Sequence, residues 1–350
     1  MAINALLLLD GVSSHSHQSW GLVRELARHT SVNTEEFFVQ MHSSWMRGYL
    51  RKALTMSSPQ TLDWASHCFN WQEDQYNTPD LIISAGEETK LLNAVLAKRY
   101  ACDNIYIGRQ EGVRSSWFNA VLTLDAPVLP NAVCMNIPPS RLSPDSVSEA
   151  FAAYLEEGGD HRDNYWGMIV GGDKGECCYT DDDWQHLAAG MNELARKNKI
   201  KWLVLTTRLT STQVEGQLRE VLKSRYLESI SSYSQRLDDP LPLLAARTQR
   251  IYCGFEQLPI LFDVIASGRP AMALMPELAQ PNRQTRQLFS ALRQERLLSV
   301  ANIKELPVAR LARPALPLAD LLRRKQQQLF EQWRAHCPSL TSLMSSTERH

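Results

Sequence analysis

The sequence predicts an α/β fold with two Rossmann-like domains facing one another across a cleft. Short apolar runs alternate with segments of helical period, the pattern of parallel βαβ units. The alternation breaks off in a polar, turn-rich stretch near mid-chain and then restarts. One continuous segment, Ile251 to Glu277, lays out strand, loop, helix, turn and strand in a single piece. A length of 350 residues and an apolar fraction of 44% are enough for two cores of ordinary size.

In the first half, Ile3 to Leu9 reads as a strand and His17 to Arg28 as a helix. Asp80 to Ser84 reads as a strand, Thr89 to Lys98 as a helix, and Asn104 to Gly108 and Asn119 to Leu124 as strands. Ser140 to Leu155 carries a helix that leads into the polar stretch Glu156 to Asp163, where the domain boundary is expected, so that the first domain spans 1–155. The second domain, 164–312, opens with a strand over Trp166 to Val170. A helix over Asp181 to Lys197, a strand over Lys201 to Thr206 and a helix over Thr212 to Ser224 follow. Ile251 to Cys253 is then a strand and Pro259 to Ala266 a helix, ended by Gly268 and Pro270. Ala271 to Met275 is a buried parallel strand and Arg283 to Leu292 a further helix. The remainder, 313–350, carries a helix over Leu318 to Arg334 that is expected to pack back on the first domain.

Composition excludes several classes. A net charge of −1 argues against a general binder of nucleic-acid backbones, so no nucleic-acid partner is expected. The seven cysteines are scattered, without a C-x-x-C pair or a Cys/His cluster of zinc spacing, and read as reduced, mostly buried thiols. No metal site is expected. The apolar run Ala5 to Leu9 is too short for a signal peptide or a membrane span, which points to a cytoplasmic location. Trp45 to Lys52 mixes aromatic, apolar and basic residues, and suits either an amphipathic segment touching anionic lipid at the inner face of a membrane or a core-packed helix with a basic outer face.

Candidate sites follow from strand ends. The loop Asp10, Gly11, Ser14, Gln18 leaves the first strand and could bind a polar group, with His15 or His17 as general base; in the alternative, Ser14 or Ser16 merely caps the helix. Gly171 and Gly172 let backbone amides approach a phosphate, and Lys174 adds charge. Arg208 could clamp a diphosphate, or stand solvated beside hydroxyls that cap the next helix. Glu256 lies in the loop before the Pro259 helix and Asp263 about one and a half turns into it, where a carboxylate can accept both hydroxyls of a ribose, or simply stabilise a helix start. Asp181 to Asp183 reads as an acidic first turn rather than a metal cluster.

With these loops placed, the chain resembles the mitochondrial-fission ELM-like family, whose bacterial members have a GT-B-type glycosyltransferase architecture. The resemblance runs through Asp10, Gly11, His15, Gln18, Gly21 and Leu22, through Pro79 to Ile82 with Gly86, and through Gly171 and Gly172. It continues in Thr206, Arg208 and Thr210, in Glu256, Asp263, Gly268, Arg269 and Pro270, and in Asn282 and Arg283. The same segments are similar to the MurG peptidoglycan glycosyltransferases, in which an acid five positions before the corresponding glycine holds the ribose of the sugar nucleotide; here that position is Asp263. The chain departs from the family pattern at Val12 to Ser14, at Leu209 and at Gln257. The resemblance implies transfer from a nucleotide sugar to a glycan or lipid-linked acceptor in cell-envelope assembly, with no bound cofactor. Gly171, Gly172, Lys174, Arg208, Glu256, Gln257 and Asp263 would hold the donor, Asp10, Gly11, Ser14 and Gln18 the acceptor, and His15 would be the base. A non-catalytic adaptor that binds a protein partner is the other function this family implies.

Overall fold

The computed structural model describes residues 2–159, 164–232, 239–312, 314 and 316–347. Two compact units emerge, one of Met1–Arg141 with Arg323–His350, the other of Leu142–Leu322. Each is a six-stranded, all-parallel sheet with helices on its faces.

In the first unit the strands are β1 (Ile3–Leu9), β2 (Val32–Phe38), β3 (Leu81–Ala85), β4 (Asp103–Ile107), β5 (Ala120–Thr123) and β6 (Ala132–Cys134), in the order β2-β1-β3-β4-β5-β6. β1 shows why its sequence is almost wholly apolar. Leu6 and Leu8 enter one core with α2 (Arg47–Met56), α3 (Pro59–Ser66) and α4 (Lys90–Tyr100). Ile3, Ala5, Leu7 and Leu9 enter the other, with α1 (Ser13–Ala27), α11 (Leu318–Arg334) and α12 (Pro338–Thr347). A strand buried on both faces must be apolar at every position. Phe330, Trp333 and Leu340 fill that second core, so the C-terminal helices are part of the first unit from Arg323 onward.

The second unit orders its strands β12 (Ser299–Asn302), β11 (Ala271–Met275), β10 (Ile251–Gly254), β7 (Tyr165–Val170), β8 (Lys201–Thr206) and β9 (Leu227–Ser231). Trp166, Met168, Trp202, Val204 and Tyr252 pack one face of this sheet against α6 (Asp181–Asn198) and α7 (Thr212–Val221). Thr180 caps α6 by accepting from the Asp183 amide, and the Asp183 carboxylate returns the bond, so the acidic triplet is a helix start. Among the described residues no group of three or more His, Cys, Asp or Glu is placed to hold a metal ion.

The expected boundary within residues 156–163, of which 160–163 lie outside the described residues, is displaced. α5 (Pro144–Glu156) belongs to the second unit because it packs on α8 (Leu241–Arg247), with the Arg247 guanidinium 4.8 Å from the Tyr154 ring centre. The first helix starts four residues earlier than its apolar spacing indicates, at Ser13. α9 (Leu258–Ala266) and α10 (Arg283–Gln294) complete the second unit.

Candidate functional site

In a doubly wound sheet, ligands gather at the carboxyl ends of strands where the chain's winding reverses. In the first unit that point lies between β1 and β3, because β2 extends one side and β4 to β6 the other. Asp10 follows β1 directly. Its Oδ1 accepts the Val12 amide at 3.0 Å, and its Oδ2 lies 2.8 Å from His15 Nδ1. The Asp10 side chain is 7% exposed and that of His15 32%. A carboxylate at Nδ1 fixes the imidazole with its proton there and presents Nε2 as the basic nitrogen.

Gly86, after β3, explains how the two loops come this close. Its φ is +90°, and a Cβ there would lie 2.4 Å from both Asp10 Oδ2 and His15 Nδ1. Gly11 also adopts a left-handed φ of +80°, which turns the chain from β1 into α1.

Asp10, expected among the acceptor contacts, has its oxygens engaged with the Val12 amide and with His15 Nδ1. Ser14 and Ser16 do not cap the helix: the N-cap is Val12, without a side-chain bond, and both serines lie inside α1. Ser14 and Gln18 are half-buried, one turn apart on one face of α1, and Gly11 is exposed. Beside the pair lies a cavity of about 240 Å³ lined by Asp10, Gln40, Met41, Ser44, Arg47 and Glu88. Arg47 Nη2 donates to both carboxylate oxygens of Glu88, at 2.6 and 2.7 Å.

In the second unit the winding reverses between β7 and β10. Glu256, which follows β10, is 7% exposed, and its carboxylate accepts the Gly172 amide at 3.2 Å and the Tyr179 hydroxyl. Tyr179 stacks on Trp184 with ring centres 4.4 Å apart. Burial raises the Glu256 carboxyl above its ordinary value against the opposing pull of these donors, and burial beside Glu256 raises the Tyr179 hydroxyl likewise. Gln257, 6% exposed, donates to Thr207 Oγ1 at 3.1 Å and so ties the β10 loop to the β8 loop. Thr210 closes the circle by donating to the Val170 carbonyl at 2.7 Å.

The structure therefore brings Gly171, Gly172, Glu256 and Gln257 together, and gives the glycines a reason of their own. A Cβ on Gly171 would lie 1.5 Å from Glu256 Oε1, and one on Gly172 2.0 Å from the Leu209 carbonyl oxygen. The Gly172 amide is directed at Glu256, so it is not available to a phosphate in this arrangement. Lys174 and Arg208 are exposed on the loops leaving the same edge of the sheet. Ser211, in the hydroxyl-rich stretch that carries Arg208, caps α7 by accepting from the Val214 amide. Asp263 is 7% exposed within α9, whose N-terminus at Gln257 has no side-chain cap. Along the helix it lies roughly 9 Å from that end, at 1.5 Å per residue. Tyr179 belongs to these constellations without having been picked out, whereas Gly86 was marked in the sequence as the glycine that follows the Pro79 to Ile82 strand.

The raised Glu256 carboxyl has a measurable sign. In the unfolded chain the group titrates at its ordinary 4.5, so between that value and the raised folded one the native state holds the proton more tightly. Its contribution to stability is full below pH 4.5 and declines as pH rises through the folded value, with a slope of at most about 1.4 kcal/mol per pH unit. Chemical denaturation of wild type and Glu256→Gln across pH 4–8 should show the wild type losing ground to the variant as pH rises; a constant difference would contradict this electrostatic picture.

Two Rossmann-like units in one chain are the composition of a GT-B-type α/β protein. The chain belongs to the mitochondrial fission ELM1 family, whose model matches residues 14–321. Among solved structures it is similar to the UDP-GlcNAc 2-epimerase from Methanocaldococcus jannaschii, 10% identical with a TM-score of 0.51, over 93% of this chain and 99% of that one. It is also similar to the ADP-heptose LPS heptosyltransferase II of E. coli, 12% identical with a TM-score of 0.48, over 94% and 99%. For MurG of Acinetobacter baumannii the identity is 11% and the TM-score 0.42, over 99% and 100%. At such identities the likeness to the epimerase speaks for the fold. No curated protein matches the chain in sequence.

Proposed function

We propose that the chain is a glycosyltransferase that takes a sugar from a nucleotide donor, with His15 as the base that removes the proton of the acceptor hydroxyl. The observation that carries this is the Asp10–His15 pair, at 2.8 Å, seated on Gly86 at the reversal point of the first sheet. A carboxylate that holds an imidazole by Nδ1 beside a polar cavity is the arrangement general-base catalysis needs. The nucleotide class is supported by the motif pattern around Asp263 and by a fold shared with an epimerase named for UDP-GlcNAc.

In this reading the donor lies over the carboxyl edge of the second sheet. Lys174 and Arg208 face its phosphates, the uncapped start of α9 adds its dipole, and Asp263 takes the ribose. Gly171, Gly172, Glu256 and Gln257 hold the floor of that site and position the loops. As the leaving nucleotide departs, the two cations and the helix dipole stabilise its oxygens without a resident cofactor. Gly11, Ser14 and Gln18 line the way to His15, and the acceptor is a glycan or lipid-linked hydroxyl of the cell envelope, met at the cytoplasmic side. Thermal-shift measurement against a panel of nucleotide diphosphate and monophosphate sugars tests the donor class. A concentration-dependent rise in melting temperature with at least one member is expected. No shift with any of them, together with a protein that co-purifies at fixed stoichiometry, would favour an adaptor role.

A further inference from the structure

A cation stands where helix physics disfavours one. α4 begins at Lys90, so this residue lies at the positive end of the helix dipole, and its side chain is only 5% exposed. Lysine is almost never this buried unless it is paired. The ammonium pairs with the Glu87 carboxylate, itself 59% exposed, and donates to the Glu111 carbonyl at 3.4 Å.

A second cation reaches the same spot from another element. The loop after β4 turns at Gly112, whose φ is +67°, and the point where a Cβ would stand on Gly112 is 3.7 Å from Arg51 Nη2 and 4.0 Å from Lys90 Nζ. Glycine leaves that point open. Leu50, Ala53 and Leu54 bury the inner face of α2, and Arg114 Nη1 donates to Thr55 Oγ1 at 3.1 Å, so the β4 loop is tied to the helix that carries Arg51. Among the described residues no carboxylate pairs with Arg51, whereas Arg47, one turn earlier, is matched by Glu88.

Two cations that face one point repel each other, and an anion placed between them offsets this. A phosphate suits the pair, because its several oxygens accept from a guanidinium fork and from an ammonium together. Glu87, the exposed partner of Lys90, can turn to solvent as the phosphate takes its place. Lys90 and Gly112 follow β3 and β4, the next two strands after β1 in the sheet order, so this spot shares a sheet edge with Asp10 and His15. β1 and β4 are two ladder steps apart, about 10 Å, a span that a sugar ring with its phosphate ester bridges.

We propose that Arg51 and Lys90 form a phosphate-binding subsite for the acceptor, which is then a phosphorylated sugar whose free hydroxyl meets His15. The assignment to the acceptor rests on the reading of His15 as the base, whereas the anion site does not.

Calorimetric titration of inorganic pyrophosphate into the full chain tests the subsite without any transfer. Saturable binding that survives Lys174→Gln/Arg208→Gln is expected, weakened about tenfold in Arg51→Gln and in Lys90→Gln. Lys52→Gln, at the next residue of α2, should change it little. Arg51 is exposed, so its variant should melt like wild type. Absence of binding, an equal loss in Lys52→Gln, or binding that the Lys174/Arg208 pair abolishes and Arg51→Gln leaves intact would overturn the proposal. So would Arg51-dependent binding to phosphatidic acid vesicles without pyrophosphate binding, which would assign the cations to a bilayer surface. In the transfer reaction Arg51→Gln should raise the KM for the acceptor and leave that for the donor, and an unchanged acceptor KM would take the subsite away from the acceptor. Arg51-dependent pyrophosphate binding in a chain that transfers no sugar would instead uphold the anion site and sink the reaction proposed above.

Discussion

Replacing His15 by Ala is expected to lower the rate of sugar transfer by roughly 10²–10⁴-fold, the usual worth of a positioned general base. The loss should fall on kcat, with the KM for the nucleotide sugar little changed, because nothing in the first sheet's switch loop is required to hold the donor. His15 is partly exposed and its partner is its own loop, so the variant should fold normally. Asp10→Asn keeps the size of the side chain and removes the charge that fixes Nδ1. It should lose much of the same activity, whereas Ser16→Ala, one residue along the helix from His15, should lose little. Single-turnover rates decide the matter: a His15→Ala enzyme as fast as wild type removes the base from the account, and a raised KM at unchanged kcat would make His15 a binding residue instead.

Gly171→Ala should have the largest effect on stability. The new methyl group would stand 1.5 Å from Glu256 Oε1, in a region where Glu256 is nearly fully buried. The carboxylate must swing away, which strains the packing and strips the Gly172 amide and the Tyr179 hydroxyl of their acceptor. Overpacking and unsatisfied buried groups together cost about 2–5 kcal/mol. The same clash predicts coupling. In a Glu256→Ala background, already deprived of the acceptor, Gly171→Ala should cost much less, and urea melts of the two single variants and the double variant would reveal it. Strict additivity would mean that the two loops do not meet as described.

The central strands of both sheets were legible because burial on two faces forces apolar runs: β1, β7, β8, β10 and β11 announce themselves as short, largely apolar segments. The strands that escaped notice are the edges. β2 reads Val-Asn-Thr-Glu-Glu-Phe-Phe and β9 Leu-Glu-Ser-Ile-Ser, mixtures that an edge tolerates and that carry no clear period. β6 and β12 are also edges, and too short to register. The domain boundary was misplaced for a related reason. A polar stretch marks where the chain meets solvent, whereas the division of contacts depends on which helix α5 packs against, and Arg247 on Tyr154 is invisible in a linear pattern.

Much the same limit applied to the sites. Loops at strand ends could be located, and His15, Gly171, Gly172 and Glu256 stand at the reversal points of the two sheets. What spacing could not reveal is direction. Asp10 turns inward to His15, and Gly172 turns its amide to Glu256, so residues expected to meet ligands hold one another in place. Asp10 and His15, five positions apart across a strand-to-helix turn, are near enough in sequence for that pairing to be sought; Glu256 and Tyr179 are separated by three strands and are not.

The most direct test of the central claim is calorimetric titration of nucleotide sugars into the wild-type chain and into Asp263→Ala, with Asp263→Asn and melting temperatures as controls for folding. Saturable binding of at least one nucleotide sugar is expected, weakened at least about tenfold when the carboxylate is removed, which corresponds to about 1.4 kcal/mol. Equal affinity in wild type and in a folded Asp263→Ala variant, or no binding of any nucleotide sugar to the wild type, would contradict the proposed donor site.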